Sequence, residues 1–168
     1  MPIKFFGALL VVVACAALGF LKSAELKKRK TSIMNIRTAL TALESEIVFS
    51  SYYLKHALLH IEKMCECGGI FAETADNIEE MGVAEAWRKA VSDGRKKLGL
   101  QESDAEILVG FGENLGKSAR EQQSKNIKHI QALLECAQKE ADEEYKKSAR
   151  LYRSMGILGG IFIAVILM

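Results

Sequence analysis

The sequence predicts an all-α protein: an antiparallel bundle of about six helices, flanked by an N-terminal and a C-terminal transmembrane helix. Long uncharged stretches lie at both ends of the 168-residue chain, and apolar residues recur every three or four positions between them. One proline and four cysteines argue against a many-stranded sandwich and a disulfide scaffold. Lys and Arg outnumber Asp and Glu by only 23 to 21, which argues against a nucleic-acid-binding chain.

The first predicted transmembrane helix is the uncharged run 5–21, which has Lys4 and Lys22 at its ends. Its seventeen residues would span roughly 25 Å, close to the thickness of the hydrocarbon core. A cleaved secretory signal fits less well, because its apolar region is usually about 7–15 residues long. A lipoprotein signal ending at Cys15 is a second alternative, but the run continues for six residues beyond that cysteine. An uncleaved helix is therefore the preferred interpretation.

The second predicted span is the uncharged terminal run 155–168, extended by residues 151–154 so that Arg153 lies at its edge. Small residues in it offer a face that another helix could approach closely: Gly156, Gly159 and Gly160. Glycines that are simply tolerated in a lipid-facing helix are an equally good interpretation.

Basic residues set the predicted orientation, because they follow the first apolar run and precede the second. The positive-inside rule then places the centre of the chain in the cytoplasm and both termini outside the cell. The predicted domains are an N-terminal span at 1–22, a cytoplasmic helical bundle at 23–154, and a C-terminal span at 155–168.

The bundle begins with a periodic apolar run from Ile33 to Met64. Residues 50–53 are predicted to split this run into two helices that meet at a bend. The second of these helices is expected to end at Gly68 and Gly69, since glycine is common at helix C-termini.

Three shorter helices are predicted next, each closed by a glycine: 70–81 before Gly82, 83–98 before Gly99, and a third before Gly116. Ser103 and Glu106 have the spacing of a capping box that would start the third of them. A last helix is predicted from about Ala119 and continues into the terminal apolar run.

The candidate chemical site consists of His56, His60, Cys65 and Cys67. The two histidines lie four residues apart and hence on one helix face, which suits two zinc ligands, and the thiols follow one to two turns later. Two surface histidines and two reduced thiols are the alternative interpretation. A membrane-anchored metal or redox sensor is thus the alternative function.

A membrane enzyme is less favoured, since no nucleotide-binding, nucleophile or H-E-x-x-H motif is present. Cys136 is predicted to be a small core residue.

Charged segments supply the candidate partner contacts, although a solvated surface or topology alone would explain each of them. The basic run 27–30 suits anionic lipid. Glu44 and Glu46 flank an apolar seam, where Glu44 could instead pair with a neighbouring helix. An acidic stretch suits a basic partner protein: Glu73, Asp76, Glu79, Glu80 and Glu85.

Short motifs occur in a fixed order along nearly the whole chain: LESEI at 43–47, AWRKA at 86–90, FGENLG at 111–116, and then Gln122 and Gln123. Together with the two terminal apolar runs, this order resembles the stage III sporulation protein AB family of endospore-forming bacteria. Two positions depart from the family pattern. Tyr53 stands where a proline is expected, and Ala119 stands where an acidic residue is expected.

The resemblance implies a non-catalytic platform in the channel between mother cell and forespore, similar to the inner-membrane platform protein of type II secretion and type IV pilus machines. The implied partners are the lipid bilayer, a cytoplasmic ATPase, other membrane proteins of the channel and a possible second copy of the chain. No cofactor is implied. On this analogy Glu44, Glu46 and the acidic stretch are docking candidates, whereas Gly112 and Gly116 allow close helix packing.

Overall fold

The computed structural model describes residues 2–49, 54–115 and 120–167, and their regular structure is entirely helical. Six helices and no strand occur in these ranges. The helices are α1 (Pro2–Phe49), α2 (Leu54–Met64), α3 (Ile70–Met81), α4 (Val83–Leu98), α5 (Glu102–Asn114) and α6 (Arg120–Leu167). The predicted all-α class and the number of helices are confirmed.

The predicted membrane spans are not supported. Within the described ranges, none of the helices is both long enough and apolar enough to cross a membrane. The first predicted span is a run of seventeen uncharged residues, and the second is a run of fourteen that reaches further only through residues 151–154, which include Arg153. A crossing helix needs about 20 apolar residues. The prediction of a two-span cell-membrane protein with outer termini and a cytoplasmic centre is therefore contradicted. The predicted contact with a lipid bilayer depended on the same spans.

Glycines close two of the helices as the sequence predicts. Gly82 follows α3 with φ 80° and donates its backbone N–H to the carbonyl of Ile78. Gly99 follows α4 with φ 68° and donates its N–H to the carbonyls of Arg95 and Lys96. Only glycine adopts such positive φ values without strain, which explains why the chain turns at these two positions.

Two other boundaries differ from the predictions. α2 ends at Met64, and Gly68 and Gly69 instead form the left-handed turn that leads into α3. α5 begins at Glu102, two residues before the position that a Ser103 cap would give. Its capping box is formed by Gln101 and Asp104. The remaining predicted boundary residues, 50–53, Gly116 and Ala119, lie outside the described residues.

Residues 29–139 form one compact unit, which has Trp87 at its centre. The indole ring meets Phe71 and Phe111 edge to face, with a centroid distance of 5.2 Å in both pairs. Its Nε1–H donates a 2.6 Å hydrogen bond to the carbonyl of Leu108. Three helices, α3, α4 and α5, therefore share one aromatic core, with the polar atom of the indole satisfied.

Gly112 lies directly against this indole. A Cβ atom at position 112 would stand 2.3 Å from Cδ1 and 3.0 Å from Cβ of Trp87. We expect Gly112→Ala to lower the free energy of unfolding by about 1–3 kcal/mol, because the overpacked indole has to shift. Urea unfolding of the full chain measures the change.

Gly110 provides the matched control for this prediction, since it lies in the same helix and a Cβ atom there would meet nothing within 4 Å. Gly110→Ala should leave stability unchanged or raise it by up to about 1 kcal/mol through helix propensity. Equal effects of the two substitutions would contradict the packing explanation.

Residues 1–28 and 140–168 form a second compact unit, in which the two chain ends pack through glycines. A Cβ atom at Gly156 would stand 2.7 Å from the carbonyl oxygen of Cys15, and one at Gly160 would stand 2.9 Å from Cα of Val12. Gly159 has nothing within 4 Å. The close approach predicted for this glycine group thus involves Gly156 and Gly160.

Arg153 belongs to the same second unit and contacts the N-terminal helix. Its Nε donates a 2.9 Å hydrogen bond to Ser23 Oγ, and its guanidinium lies 5.7 Å from the centre of the Phe20 ring.

The two compact units divide the chain at 28/29 and 139/140, whereas the sequence places the boundaries at 22/23 and 154/155.

Large apolar side chains lie exposed on the second unit, among them Leu18, Leu158, Phe162 and Val165. Soluble monomers rarely expose so many large apolar groups together, and such surfaces usually mark a site of interaction. This unit therefore carries an apolar surface that the chain itself leaves uncovered.

Candidate functional site

The four candidate metal ligands do not converge. His56 and His60 line a cavity of about 270 Å³ together with Glu46 and Ala57. In this cavity His60 Nδ1 lies 3.3 Å from Glu46 Oε1. In the described part of the chain, no three His, Cys, Asp or Glu side chains form a group that could hold a metal ion.

The two candidate cysteines differ: Cys65 is partly exposed, whereas Cys67 is poorly placed for metal or redox chemistry. Cys67 is fully buried, and burial, followed by the charges of Glu62 and Cys65, raises the pKa of its thiol to about 12. Its thiolate, which is the form that binds metals and attacks electrophiles, is therefore scarce at neutral pH. Cys136 is exposed on α6, so its predicted place in the core is wrong.

Arg29, in the basic run predicted to suit anionic lipid, is buried instead. Its Nε and Nη2 atoms donate to the two carboxylate oxygens of Asp104 at 2.8 and 3.0 Å. The two side chains are only 3% and 1% exposed. Such a bidentate pair holds both planar groups in one orientation. Arg29 therefore ties α1 to the start of α5.

Asp104 has a second contact that the sequence analysis missed. Its Oδ2 atom also accepts the backbone N–H of Gln101 at 2.9 Å, which completes the capping box of α5. A signal for Arg29 was present in the sequence, because Arg29, Ile33, Ile36 and Leu40 follow the spacing of one buried helix face. No local pattern identifies Asp104 as its partner, since 75 residues separate the two.

Glu44 and Glu46 are engaged within the chain. Glu44 Oε1 accepts a 2.6 Å hydrogen bond from Ser124 Oγ and lies 3.5 Å from Lys128 Nζ, so it pairs with α6. Glu46 contacts His60 on α2 and is only 22% exposed. The structure thus places both carboxylates between helices, where they are poor sites for a partner.

The acidic stretch is different, because part of it forms one exposed face of α3. Asp76, Glu79 and Glu80 are spaced by three and four residues and are all exposed. The opposite face is buried in the compact unit: Ile70, Phe71, Thr74 and Ala75. We call Asp76, Glu79 and Glu80 the α3 acidic face.

Basic residues from other positions neutralise several members of the acidic stretch. Lys55 Nζ lies 2.7 Å from Glu79 Oε1, and this hydrogen-bonded contact lowers the pKa of Glu79. Lys89 lies 3.9 Å from Glu73, and Arg88 lies 3.0 Å from Glu85.

Asp76 and Glu80 have no ion pair in the described part of the chain. Because the other members of the acidic stretch are paired, the negative charge that remains available to a partner is concentrated on the α3 acidic face.

Glu62 of α2 holds the first turn of α3 in place. Its two carboxylate oxygens accept the backbone N–H groups of Gly69 and Phe71 at 2.9 and 3.0 Å. Gly69 occupies the N-cap position and has no side chain to satisfy these donors itself. A carboxylate at this end also suits the positive end of the helix dipole.

Comparison with known proteins identifies one family. Residues 4–168 match the family model described as Stage III sporulation protein AB. A curated relative, the stage III sporulation protein AB of Bacillus subtilis strain 168, is 29% identical over 170 residues, which cover 99% of each chain.

A solved structure of stage III sporulation protein AB also resembles this chain. It superposes with a TM-score of 0.65 at 29% sequence identity, over 70% of this chain and 96% of the solved one. Sequence and fold therefore point to the same family.

Proposed function

Because this chain belongs to the stage III sporulation protein AB family, we propose that it is a non-catalytic platform of the sporulation complex and docks an ATPase through the α3 acidic face. The observation that carries the docking proposal is the exposed charge of Asp76 and Glu80, which no ion pair neutralises in the described residues. A surface of one charge attracts a partner of the opposite charge and raises its association rate.

A scaffolding role is supported by how the buried ionisable groups are used. Asp104 is occupied by Arg29 and by the α5 cap, and Cys67 is a buried thiol with a raised pKa. Catalytic acids, bases and nucleophiles instead combine a perturbed pKa with access to a cleft. Asp104 and Cys67 are both buried, so neither side chain is accessible to a substrate.

The identity of the partner rests on analogy. The relatives are stage III sporulation proteins, which supports a role in sporulation. The platform role and the ATPase follow from the likeness of this family's bundle to secretion platform proteins. We expect the ATPase to present a basic surface to α3.

Charge reversal tests the docking surface. We expect the double variant Asp76→Lys and Glu80→Lys to weaken binding of the ATPase by about 10- to 1000-fold, because attraction becomes repulsion. Surface plasmon resonance on the full chain measures the affinity and the association rate. The loss should appear mainly in the association rate, and it should shrink at high salt.

The matched control is the double variant Glu121→Lys and Glu143→Lys, which makes the same change in net charge on exposed residues of α6. It should bind the ATPase as the unaltered chain does. Equal binding by the α3 variant and the unaltered chain would exclude the α3 acidic face as the docking surface. Equal losses of affinity in both variants would show that net charge, rather than this face, determines binding.

A further inference from the structure

A second surface of the compact unit 29–139 is a groove between α4 and α5, with a volume of about 770 Å³. The α4 wall is mainly basic and includes Arg88, Arg95 and Lys96. The α5 wall is acidic and consists of Glu102, Glu106 and Glu113. We call this feature the α4–α5 groove.

Small residues make the floor of the groove accessible. Ala105 and Val109 lie between the charged walls, and Gly110 beside them has open space where a side chain would be. Grooves between two helices commonly take the apolar stripe of a third helix. The dimensions and the small residues suit such a stripe.

In the part of the chain that the structure describes, ion pairs join the two walls at the two ends of the groove. Arg95 pairs with Glu102 near one end, and Arg88 lies 3.6 Å from Glu113 near the other. Glu106, between them, is exposed and has no ion pair within the residues that the structure describes. Exposed pairs of this kind contribute little stability and exchange partners readily.

The same compact unit carries a stripe of the matching kind on α6. Ala132 and Leu133 lie four and three residues before Cys136, about one turn away, and all three are exposed. Leu133 is a large apolar side chain that remains 38% exposed. The opposite side of this helix is packed in the core through Ile127, Ile130 and Leu134. The outward stripe therefore stays exposed to solvent in the folded unit.

The charges beside the stripe fit the acidic wall. Lys128 and Lys139 flank it; each has one carboxylate partner in its own chain, Glu44 and Glu135, and the two lysine side chains remain 69% and 72% exposed. They lie eleven residues apart, as do Glu102 and Glu113 on α5. At about 1.5 Å per residue both pairs span roughly 16 Å, so the two lysines can meet the two carboxylates together.

We propose that the α6 stripe of one copy of this protein seats in the α4–α5 groove of a second copy. Leu133 covers the small-residue floor around Gly110, while Lys128 and Lys139 face Glu102 and Glu113. The two surfaces differ, so the contact is head-to-tail: the copy that inserts its stripe keeps its groove free, and the other copy keeps its stripe free for a further copy.

Site-specific crosslinking of the full chain tests this contact. The variant Gly110→Cys, with Cys15→Ser and Cys65→Ser to remove other accessible thiols, places a thiol on the groove floor beside the native Cys136 of a neighbouring copy. A short bismaleimide should then give covalent dimers and a ladder of higher oligomers. Mass spectrometry should identify the link between positions 110 and 136.

Two controls make the crosslink specific. Adding Cys136→Ser should abolish the ladder, and moving the new thiol to Ser103→Cys, exposed on α5 but outside the groove lining, should give at least tenfold less product. Equal crosslinking from position 103, or a ladder that persists without Cys136, would overturn the proposal, as would no crosslinking from position 110.

Filling the groove gives an independent measurement. Gly110→Trp should lower the weight-average mass in sedimentation velocity relative to the unaltered chain, while the circular dichroism melting curve is retained because position 110 faces open space. An unchanged mass in a variant that melts normally would overturn the proposal. None of these variants changes the α3 acidic face, so the measurement of ATPase binding tests the proposed function independently of this contact between copies.

Discussion

Asp104→Ala is expected to lower the free energy of unfolding by about 3–5 kcal/mol, because it removes the carboxylate that accepts two hydrogen bonds from the buried guanidinium of Arg29. The pair is almost completely inaccessible to solvent, so water cannot replace the lost carboxylate. The same substitution removes the acceptor for the N–H of Gln101 and so weakens the start of α5. Chemical denaturation of the full chain, followed by circular dichroism, gives the value.

Two companion variants separate the buried charge from the loss of side-chain atoms. Replacing both partners, with Arg29→Met and Asp104→Leu, should recover much of the loss, since well-packed apolar pairs often substitute for buried ion pairs. Removing the exposed partner Glu85 of Arg88 should change stability by less than about 1 kcal/mol. An Asp104→Ala effect as small as the Glu85→Ala effect would contradict the role assigned to the buried pair.

Trp87→Ala is expected to be comparably destabilising, at about 3–5 kcal/mol, because it leaves a large cavity between α3, α4 and α5. Both edge-to-face contacts, to Phe71 and Phe111, disappear with the indole. The unfolding free energy measured in urea should fall, and the slope of the transition should stay similar if the rest of the unit keeps its packing.

Trp87→Phe serves as the control for this second prediction. It keeps an aromatic ring against both neighbours but removes the hydrogen bond to Leu108, so it should lose clearly less stability than alanine. If alanine and phenylalanine cost the same, the hydrogen bond rather than ring packing would dominate this site.

The sequence identified the helices correctly where local signals set them. Apolar spacing and the glycines after Met81 and Leu98 predicted α3 and α4 with the bounds that the structure shows. These signals act within a few residues, so they are readable without knowledge of the fold. The predicted N-terminus of α5 was wrong because Gln101 and Asp104, rather than Ser103 and Glu106, form the capping box. Asp104 also binds Arg29, a contact between distant positions that a local pattern does not reveal.

The candidate docking surface was only partly predictable for the same reason. The sequence shows an acidic stretch with no basic residue between Met64 and Arg88, but the fold brings Lys55 to Glu79 from 24 positions away. It also gives Glu44 and Glu46 partners on other helices. Which carboxylates remain exposed and unpaired therefore depends on tertiary contacts, which no local pattern records.

The apolar ends were interpreted from hydropathy alone, which does not report what packs against what. Gly156 and Gly160 lie against Cys15 and Val12, so a helix–helix contact explains part of the small-residue pattern at the C-terminal end. Cys136 was assigned to the core from its residue type, although it falls outside the three- and four-residue spacing of the buried positions Ile130, Leu134 and Ala137 and is exposed.

The two hydrogen bonds between Glu62 and the first turn of α3 affect the entropic cost of binding a partner at this helix. A short helix tethered only at its ends would sample many orientations, and a binding partner would have to arrest that motion at an entropic cost. With its leading N–H groups held by a carboxylate from α2, α3 presents Asp76 and Glu80 at fixed positions before any encounter. In the docking that we propose, recognition by this helix begins from an already ordered surface.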